Sequence, residues 1–544
     1  MNVVDALAEG LVRLEVDTVF GLVGGGNFAL ATAMAEQGID VRATRHESAA
    51  VSAADGWARA TRRCGVATTT QGPGLTNAMT PLTEASKSRT PLLLLAGDTA
   101  RTARNQNQDV DQAAFARAAG AVSATLRGPE TALEDLATAV QRAQRDRIPV
   151  VLSLPLDVQR ASASDTRPLQ PDDPPFPPAP ADAAVARFCD RLVSAERPVV
   201  LAGRGAYQAD AGGDLQGIGE RVGALLATSA VGHGLFAGDP WSVGISGGFA
   251  SPSAARLLAE ADLVLAVGAA LNSWTTRSGQ LFAGAEVLAV DDDATAIGRH
   301  LEVHDAMVAD AGLAAAALRE ELERRAVART GWRTEAVAAA VADPGWPTES
   351  RDIPGVVDPR EVMRALDRLL PAQRVVAIDS GHFMGWPAQH LRVTDPGGFV
   401  FTQAYQSIGL GLGSAIGAAV ARPDRPTLCV TGDGGLAMSL GELETVSRLG
   451  LRMVVCVLDD ASYAAEVHHF GPMGLPTKLA EFAEVDFAAV ARGLGFDAVT
   501  VRSIADLDAA AERIADPSPP VLLDCKIDPG VVAPWLAEAF RLGA

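Results

Sequence analysis

Pro426–Val430 (PTLCV), Thr431-Gly432-Asp433-Gly434-Gly435, Met453–Leu458 (MVVCVL) and Asp459-Asp460 make up the stretch whose reading decides the fold. Both apolar runs are short and bounded by turn residues, so they read as buried parallel strands. A helical pattern from about Leu440 to Leu449 connects them. An acidic residue at the end of each of two neighbouring strands sets oxygen ligands side by side. The glycines around Asp433 let a phosphate approach the backbone and the start of the following helix. Hard oxygen ligands beside a diphosphate suit Mg²⁺. The unit predicts an α/β fold and a cofactor held through a metal–diphosphate bridge.

The same alternation runs along the chain. In the first part the strand candidates are Asp17–Val23, Val41–Thr44, Gly65–Thr70, Pro91–Ala96 and Pro149–Leu154. In the last part they are Arg374–Ile378, Pro426–Val430, Met453–Leu458 and Pro520–Asp524. Short apolar runs alternating with helices predict parallel sheets covered on both faces. Proline-dense stretches at 164–182 and 343–358 read as linkers, because proline continues neither a helix nor a central strand. They divide the chain into domains at 1–163, 183–342 and 359–544. A weak repeat lies across the outer two. Thr70–Asp98 aligns without a gap on Thr431–Asp459, matching Thr70/Thr431, Gly74/Gly435, Leu75/Leu436, Leu82/Leu443, Ser86/Ser447 and Asp98/Asp459. It predicts one fold used twice with different ligand chemistry.

Composition narrows the function classes. At 544 residues the chain exceeds one ordinary core. A net charge of −20 argues against a nucleic-acid partner. No apolar run approaches a membrane span, and the N-terminus reads as a helix rather than a signal. The five cysteines are scattered without metal spacing. Together these predict a cytoplasmic protein with no membrane partner.

Two further segments are ambiguous alone. Arg45-His46-Glu47 ends a strand and opens a small-residue helix, where a carboxylate complements the helix dipole. Gln71-Gly72-Pro73-Gly74, with Asn77 on the next helix, is a tight strand-to-helix turn. Combined with the metal motif, however, RHESAA (Arg45–Ala50), TTTQGPGLTNAMTPL (Thr68–Leu82), QSIGLGLGSAIGAAV (Gln406–Val420) and TGDGGLAMSLGELETV (Thr431–Val446) resemble the thiamine diphosphate (ThDP) enzymes. The group resembled is that of acetolactate synthase, pyruvate oxidase and pyruvate decarboxylase. The resemblance implies a pyrimidine-binding domain, a central Rossmann-like domain and a diphosphate-binding domain, in that order.

It also implies roles. Glu47 would hydrogen-bond the aminopyrimidine ring of a cofactor shared with a partner subunit, so a homodimer or homotetramer is expected. Ile408 would prop the cofactor in its bent shape. Asp433, Asp460 and the backbone carbonyl of Ser462 would hold Mg²⁺; the family usually carries asparagine where this chain has Asp460. Gly72, Pro73, Asn77, Ser380, Gly381, His382, Gly432, Gly434, Gly435 and Tyr463 would complete the cofactor site. Gln108 aligns with a polar active-site glutamine of acetolactate synthases.

The reaction is less determined. Glu466, in AAEVHHF, stands where acetolactate synthases carry an apolar residue and matches an acidic residue of the decarboxylases and oxidases. A carboxyl group there would protonate the species left after CO₂ loss. After the strand Leu263–Val267 this chain has Ala269-Ala270-Leu271-Asn272-Ser273-Trp274 in place of the arginine- and aspartate-rich stretch that helps hold FAD. Gly203-Arg204-Gly205 is too short a glycine signal for a dinucleotide site. FAD stays an alternative that these residues do not support. The expected function is decarboxylation of a 2-oxo acid, followed by carboligation to a carbonyl acceptor or release of an aldehyde. The alternatives are a C–C lyase acting on a 2-hydroxy ketone or 2-hydroxyacyl thioester, and a catalytically inactive ThDP-binding regulatory subunit.

Overall fold

Short apolar runs separated by helices fold into three six-stranded sheets, in a computed structural model describing residues 1–103, 106–163, 177–347, 353–536 and 540. The first sheet contains β1 (Thr18–Gly21), β2 (Asp40–Ala43), β3 (Gly65–Thr69), β4 (Leu92–Asp98), β5 (Val122–Thr125) and β6 (Pro149–Pro155). The central sheet contains β7 (Pro198–Ala202), β8 (Leu225–Thr228), β9 (Ser242–Ile245), β10 (Leu263–Val267), β11 (Glu286–Asp291) and β12 (Asp305–Val308). The last contains β13 (Val375–Ile378), β14 (Phe399–Phe401), β15 (Thr427–Gly432), β16 (Met453–Asp459), β17 (Asp497–Val501) and β18 (Val521–Lys526). Neighbouring strands are parallel in the first sheet, in the central one and in the last. Parts of both expected linkers, 164–176 and 348–352, lie outside the described residues.

Strand order separates the sheets into two kinds. The first runs β2-β1-β3-β4-β6-β5 and the last β14-β13-β15-β16-β18-β17, the same order when each set is counted from its own first strand. The weak repeat noted above joins equivalent units, β3 to β4 and β15 to β16. The central sheet, β12-β11-β10-β7-β8-β9, has the doubly wound dinucleotide-fold order. Its order reverses between β7 and β10, where such folds place ligands outside the carboxyl ends of the strands. A cavity of about 1210 Å³ opens there, lined by Arg204, Ser229, Gly268, Asn272 and Asp291 and bordered by residues of the other two domains.

In the outer two domains, strands β5, β14 and β17 had no counterpart among the expected strands. Each lies at or beside a sheet edge in the observed order. The residues of β5 and most of β17 are only partly buried, and β14 has three residues. None offers the continuous apolar run of a fully covered strand.

The outer two domains share a core. One apolar cluster contains Ala53, Leu75 and Leu94 together with Ala377, Leu412 and Val455. At its centre helix Glu47–Thr61 meets helix Gly411–Ala421. A Cβ at Gly56 would lie 2.2 Å from the Ser414 carbonyl oxygen, and one at Gly417 would lie 1.8 Å from that of Ala53. Only glycine permits backbones this close. No described helix is long and apolar enough to cross a membrane.

Candidate active site

Glu47 is the first residue of its helix and is 6 % exposed. Its Oε2 accepts a hydrogen bond of 3.0 Å from Asn77 Nδ2, which fixes the carboxyl group. Asn77 ends the short helix Pro73–Asn77, entered through Gly72 at φ +63. A Cβ on Gly72 would lie 2.3 Å from the Gln108 carbonyl oxygen, so position and conformation both require glycine. Gln71 Nε2 also donates to Gln108 Oε1 at 2.8 Å. The structure thus brings Glu47, Gly72, Pro73, Asn77 and Gln108 onto one edge of the first domain.

In the last domain, β15 and β16 deliver Asp433 and Asp460 as the sequence pattern predicts. The Asp433 carboxylate accepts from the backbone N–H of Gly434 at 2.7 Å and of Ser462 at 3.1 Å. Asp460 Oδ1 accepts from Ser462 Oγ at 2.9 Å. Burial, then repulsion from Asp460 and Asp459, pushes the Asp433 carboxyl up to about 8. Burial, more than the neighbouring Asp459, pushes Asp460 up to about 6. Two carboxyls that resist ionisation side by side form a site that a divalent cation would relieve. Glycines keep the surroundings open. A Cβ at Gly434 would lie 2.5 Å from the Tyr463 ring, and one at Gly435 would lie 2.3 Å from Asp379 Oδ2. The donor set therefore fits a Mg²⁺–diphosphate group.

Asp379 was missed by the sequence reading. It is fully buried at the end of β13. Its carboxylate accepts from the N–H groups of Ser380 (2.9 Å), Gly409 (3.0 Å) and Gly411 (3.1 Å) and from Thr431 Oγ1 (3.0 Å). It ties the Ser380-Gly381-His382 loop, the Ile408 loop and the end of β15 together. Ile408 is half-buried, which suits an apolar prop better than a core residue. From the first domain, Glu84 accepts from the N–H groups of Ala404 (3.2 Å) and Tyr405 (2.6 Å), steadying the loop that leads to Ile408. Arg59 neutralises Glu84 at 2.9 Å and donates to the Phe401 carbonyl at 2.8 Å. Neither Asp379 nor Glu84 lies in a motif that marks it; a short acidic residue ending a predicted strand was the one available signal for Asp379.

Two expected residues stand differently. His382 is buried, and its Nε2 accepts from the Ala533 N–H at 2.9 Å, while Trp535 Nε1 donates to its carbonyl at 3.1 Å. Burial, helped by His468, drops this imidazole to about 3, so it is a neutral acceptor that pins the C-terminal segment. Glu466 lies exposed on the short helix Ala464–Phe470. The His468 ring on that helix lies 4.7 Å from that of His382, tilted by 33°, joining the helix to the Ser380 loop.

Comparison with known proteins gives the family. Residues 1–115 match the N-terminal TPP binding domain of thiamine pyrophosphate enzymes, 185–318 their central domain and 379–525 their C-terminal TPP binding domain. The chain is 31 % identical to the acetolactate synthase large subunit of Parasynechococcus marenigrum, over 95 % of this chain and 86 % of that one. It is 28 % identical to the acetolactate synthase isozyme 2 large subunit of Escherichia coli, over 97 % and 96 %. It is 27 % identical to the sulfoacetaldehyde acetyltransferase of Castellaniella defragrans, over 94 % and 90 %. The chain belongs to the acetolactate synthase family of ThDP-dependent enzymes.

Proposed function

We propose that the protein decarboxylates a 2-oxo acid and transfers the acyl unit to a carbonyl acceptor, using ThDP held by Mg²⁺. The observation that carries this reading is the buried Glu47 carboxyl group, fixed through one oxygen by Asn77. ThDP when bound supplies a nucleophilic carbon and an electron sink. Asp433, Asp460 and the Ser462 carbonyl would hold the metal, with Gly432, Gly434, Gly435 and Tyr463 around the diphosphate. Ser380 and Gly381 would border the same group. Glu47 would hold or move a proton at the pyrimidine ring, and Ile408 would supply an apolar surface against the cofactor. Gln108 offers an amide to a substrate oxygen. Glu466 delivers a proton to the product, which would shift the balance towards aldehyde release.

A second copy of the chain would complete the site. Segment 463–485 beside the metal loop exposes Met473, Leu475, Phe482 and, at 96 %, Leu479. Several exposed large apolar side chains in one short segment suit burial against a partner subunit.

The central cavity supports a second ligand. Its volume, about 1210 Å³, accommodates a dinucleotide such as FAD. Ser229 Oγ and both amide atoms of Gln403 are buried there without hydrogen-bond partners in the described structure. Burial holds the Arg204 guanidinium down to about 10. Gly203 and Gly205 instead pack against Gly268, where a Cβ would lie 2.2 Å and 2.7 Å from its atoms. Those glycines serve turn packing, which explains their short pattern. A flavin absorption spectrum of the purified protein tests FAD directly.

The reaction is tested by incubating the full chain with ThDP, Mg²⁺ and a panel of 2-oxo acids, then measuring CO₂ and products by mass spectrometry. An adduct of two carbonyl units supports the proposal. Aldehyde alone assigns a decarboxylase, and no CO₂ from any 2-oxo acid overturns both.

A further inference from the structure

Three aspartates crowd the metal loop. Asp433 ends the β15 turn, and Asp459 and Asp460 follow one another at the end of β16. Asp433 feels both of the others as repelling charges. Even so, among the described residues no three acidic, histidine or cysteine side chains gather as a metal centre. One of the three aspartates is engaged from the next strand. Lys526 ends β18 directly opposite Asp459 in the parallel register. It is 4 % exposed. Its Nζ lies 2.6 Å from Asp459 Oδ2, 3.0 Å from Asp524 Oδ1 and 3.7 Å from Glu484 Oε1, and donates to the Val485 carbonyl at 2.7 Å. The other oxygen of Asp459 accepts from the Ala461 N–H at 3.0 Å. Ala461, at φ +55, turns the chain so that Ser462 reaches Asp433.

We propose that Lys526 is a positioning residue for the metal loop. It holds Asp459 in a buried ion pair, so that of the three clustered carboxylates only Asp433 and Asp460 face the metal. The proposal rests on the Mg²⁺–ThDP reading above. It adds that this site, with aspartate at position 460, tolerates its acidity because a neighbouring strand supplies a fixed cation. Removing one partner of a buried pair leaves the other charge uncompensated. In this case the stranded charges would be Asp459 and Asp524, and Asp459, next in the chain to Asp460, would repel Asp433 and the diphosphate more strongly than it does when paired.

The test is calorimetric titration of ThDP, at fixed Mg²⁺, into the full-length apo protein. Lys526→Met is expected to weaken binding about 10- to 100-fold, the usual cost of removing a group that orients a metal ligand. Adding Asp459→Asn to Lys526→Met removes the charge stranded beside the metal loop and is expected to recover most of that loss. Adding Asp524→Asn to Lys526→Met instead removes the other stranded charge and is expected to leave binding weak, whereas a merely structural lysine would be rescued as well by either aspartate change. Binding by Lys526→Met indistinguishable from wild type overturns the proposal, as does an Asp459→Asn double variant no better than the single one or than the Asp524→Asn double variant. If Lys526→Met is insoluble, the Asp459→Asn double variant decides: soluble and close to wild-type affinity supports the proposal, and any other result overturns it. A wild-type protein that binds no ThDP with Mg²⁺ present refutes the functional reading instead.

Discussion

Asn77 donates its side-chain amide to Glu47 across 3.0 Å, and the two residues arrive on separate helices of the first domain. The contact leaves one carboxyl oxygen of Glu47 without that tether and fixes its direction.

Glu47→Gln keeps the shape and removes the acid. Turnover is expected to fall at least about 100-fold, while calorimetry shows Mg²⁺–ThDP still bound. Asn77→Ala removes the hydrogen bond that tethers the Glu47 carboxyl group and is expected to cost about 10-fold in kcat/KM. Unchanged turnover in Glu47→Gln would remove this residue from the mechanism.

The acidic pair predicts a pH dependence. Asp433 and Asp460 are pushed up to about 8 and about 6, well above a free carboxyl. In the metal-free folded chain they therefore keep protons that the unfolded chain has released. Their contribution to stability is fully present below the unfolded value, about 4, and is lost as pH rises through about 6 and about 8. Melting temperatures of metal-free protein, measured across that range, should fall with pH. Mg²⁺ should stabilise most at the alkaline end, where both ligands are ionised. Asp460→Asn retains an oxygen ligand without the charge, and should flatten the profile.

Asp379→Ala strips the partner from four donors, in the Ser380 loop, at the start of helix Gly411–Ala421 and in β15. The expected loss is about 3 kcal/mol or more, read from chemical denaturation. Asp379→Asn keeps some of these bonds and should cost less.

Glu466→Gln tests the proton donor. The variant is expected to release aldehyde more slowly and to shift the product ratio towards the carboligation adduct. The ratio is measured by mass spectrometry with a single 2-oxo acid. An unchanged ratio assigns Glu466 to the surface alone.

Much of the fold was legible because central parallel strands are short, continuous and apolar. Val375–Ile378, Met453–Asp459 and Leu263–Val267 all follow that pattern. Edge and near-edge strands such as β5 and β17 were illegible because half-covered residues need no such run. The glycine turns and paired aspartates were legible because close backbone approach restricts residue type and because two acidic residues ending neighbouring strands form a distinctive pattern. Asp379, Glu84 and Lys526 were not. The contacts that give each its role reach residues far away in sequence: Asp379 to Gly409 and Thr431, Glu84 to Tyr405, Lys526 to Asp459. His382 illustrates the converse. Its position in the chain points to the cofactor loop, while its ring is held by a backbone amide of the C-terminal segment.

The crossing of helices Glu47–Thr61 and Gly411–Ala421 has a further consequence. Gly56 and Gly417 leave no room for even a methyl group. Glu47 opens one of these helices, and Ile408 lies just ahead of the other. A single methyl added at the crossing would act as a wedge, levering both elements while touching neither residue. Loss of function from such a change would look like an active-site defect although its origin lies in the core.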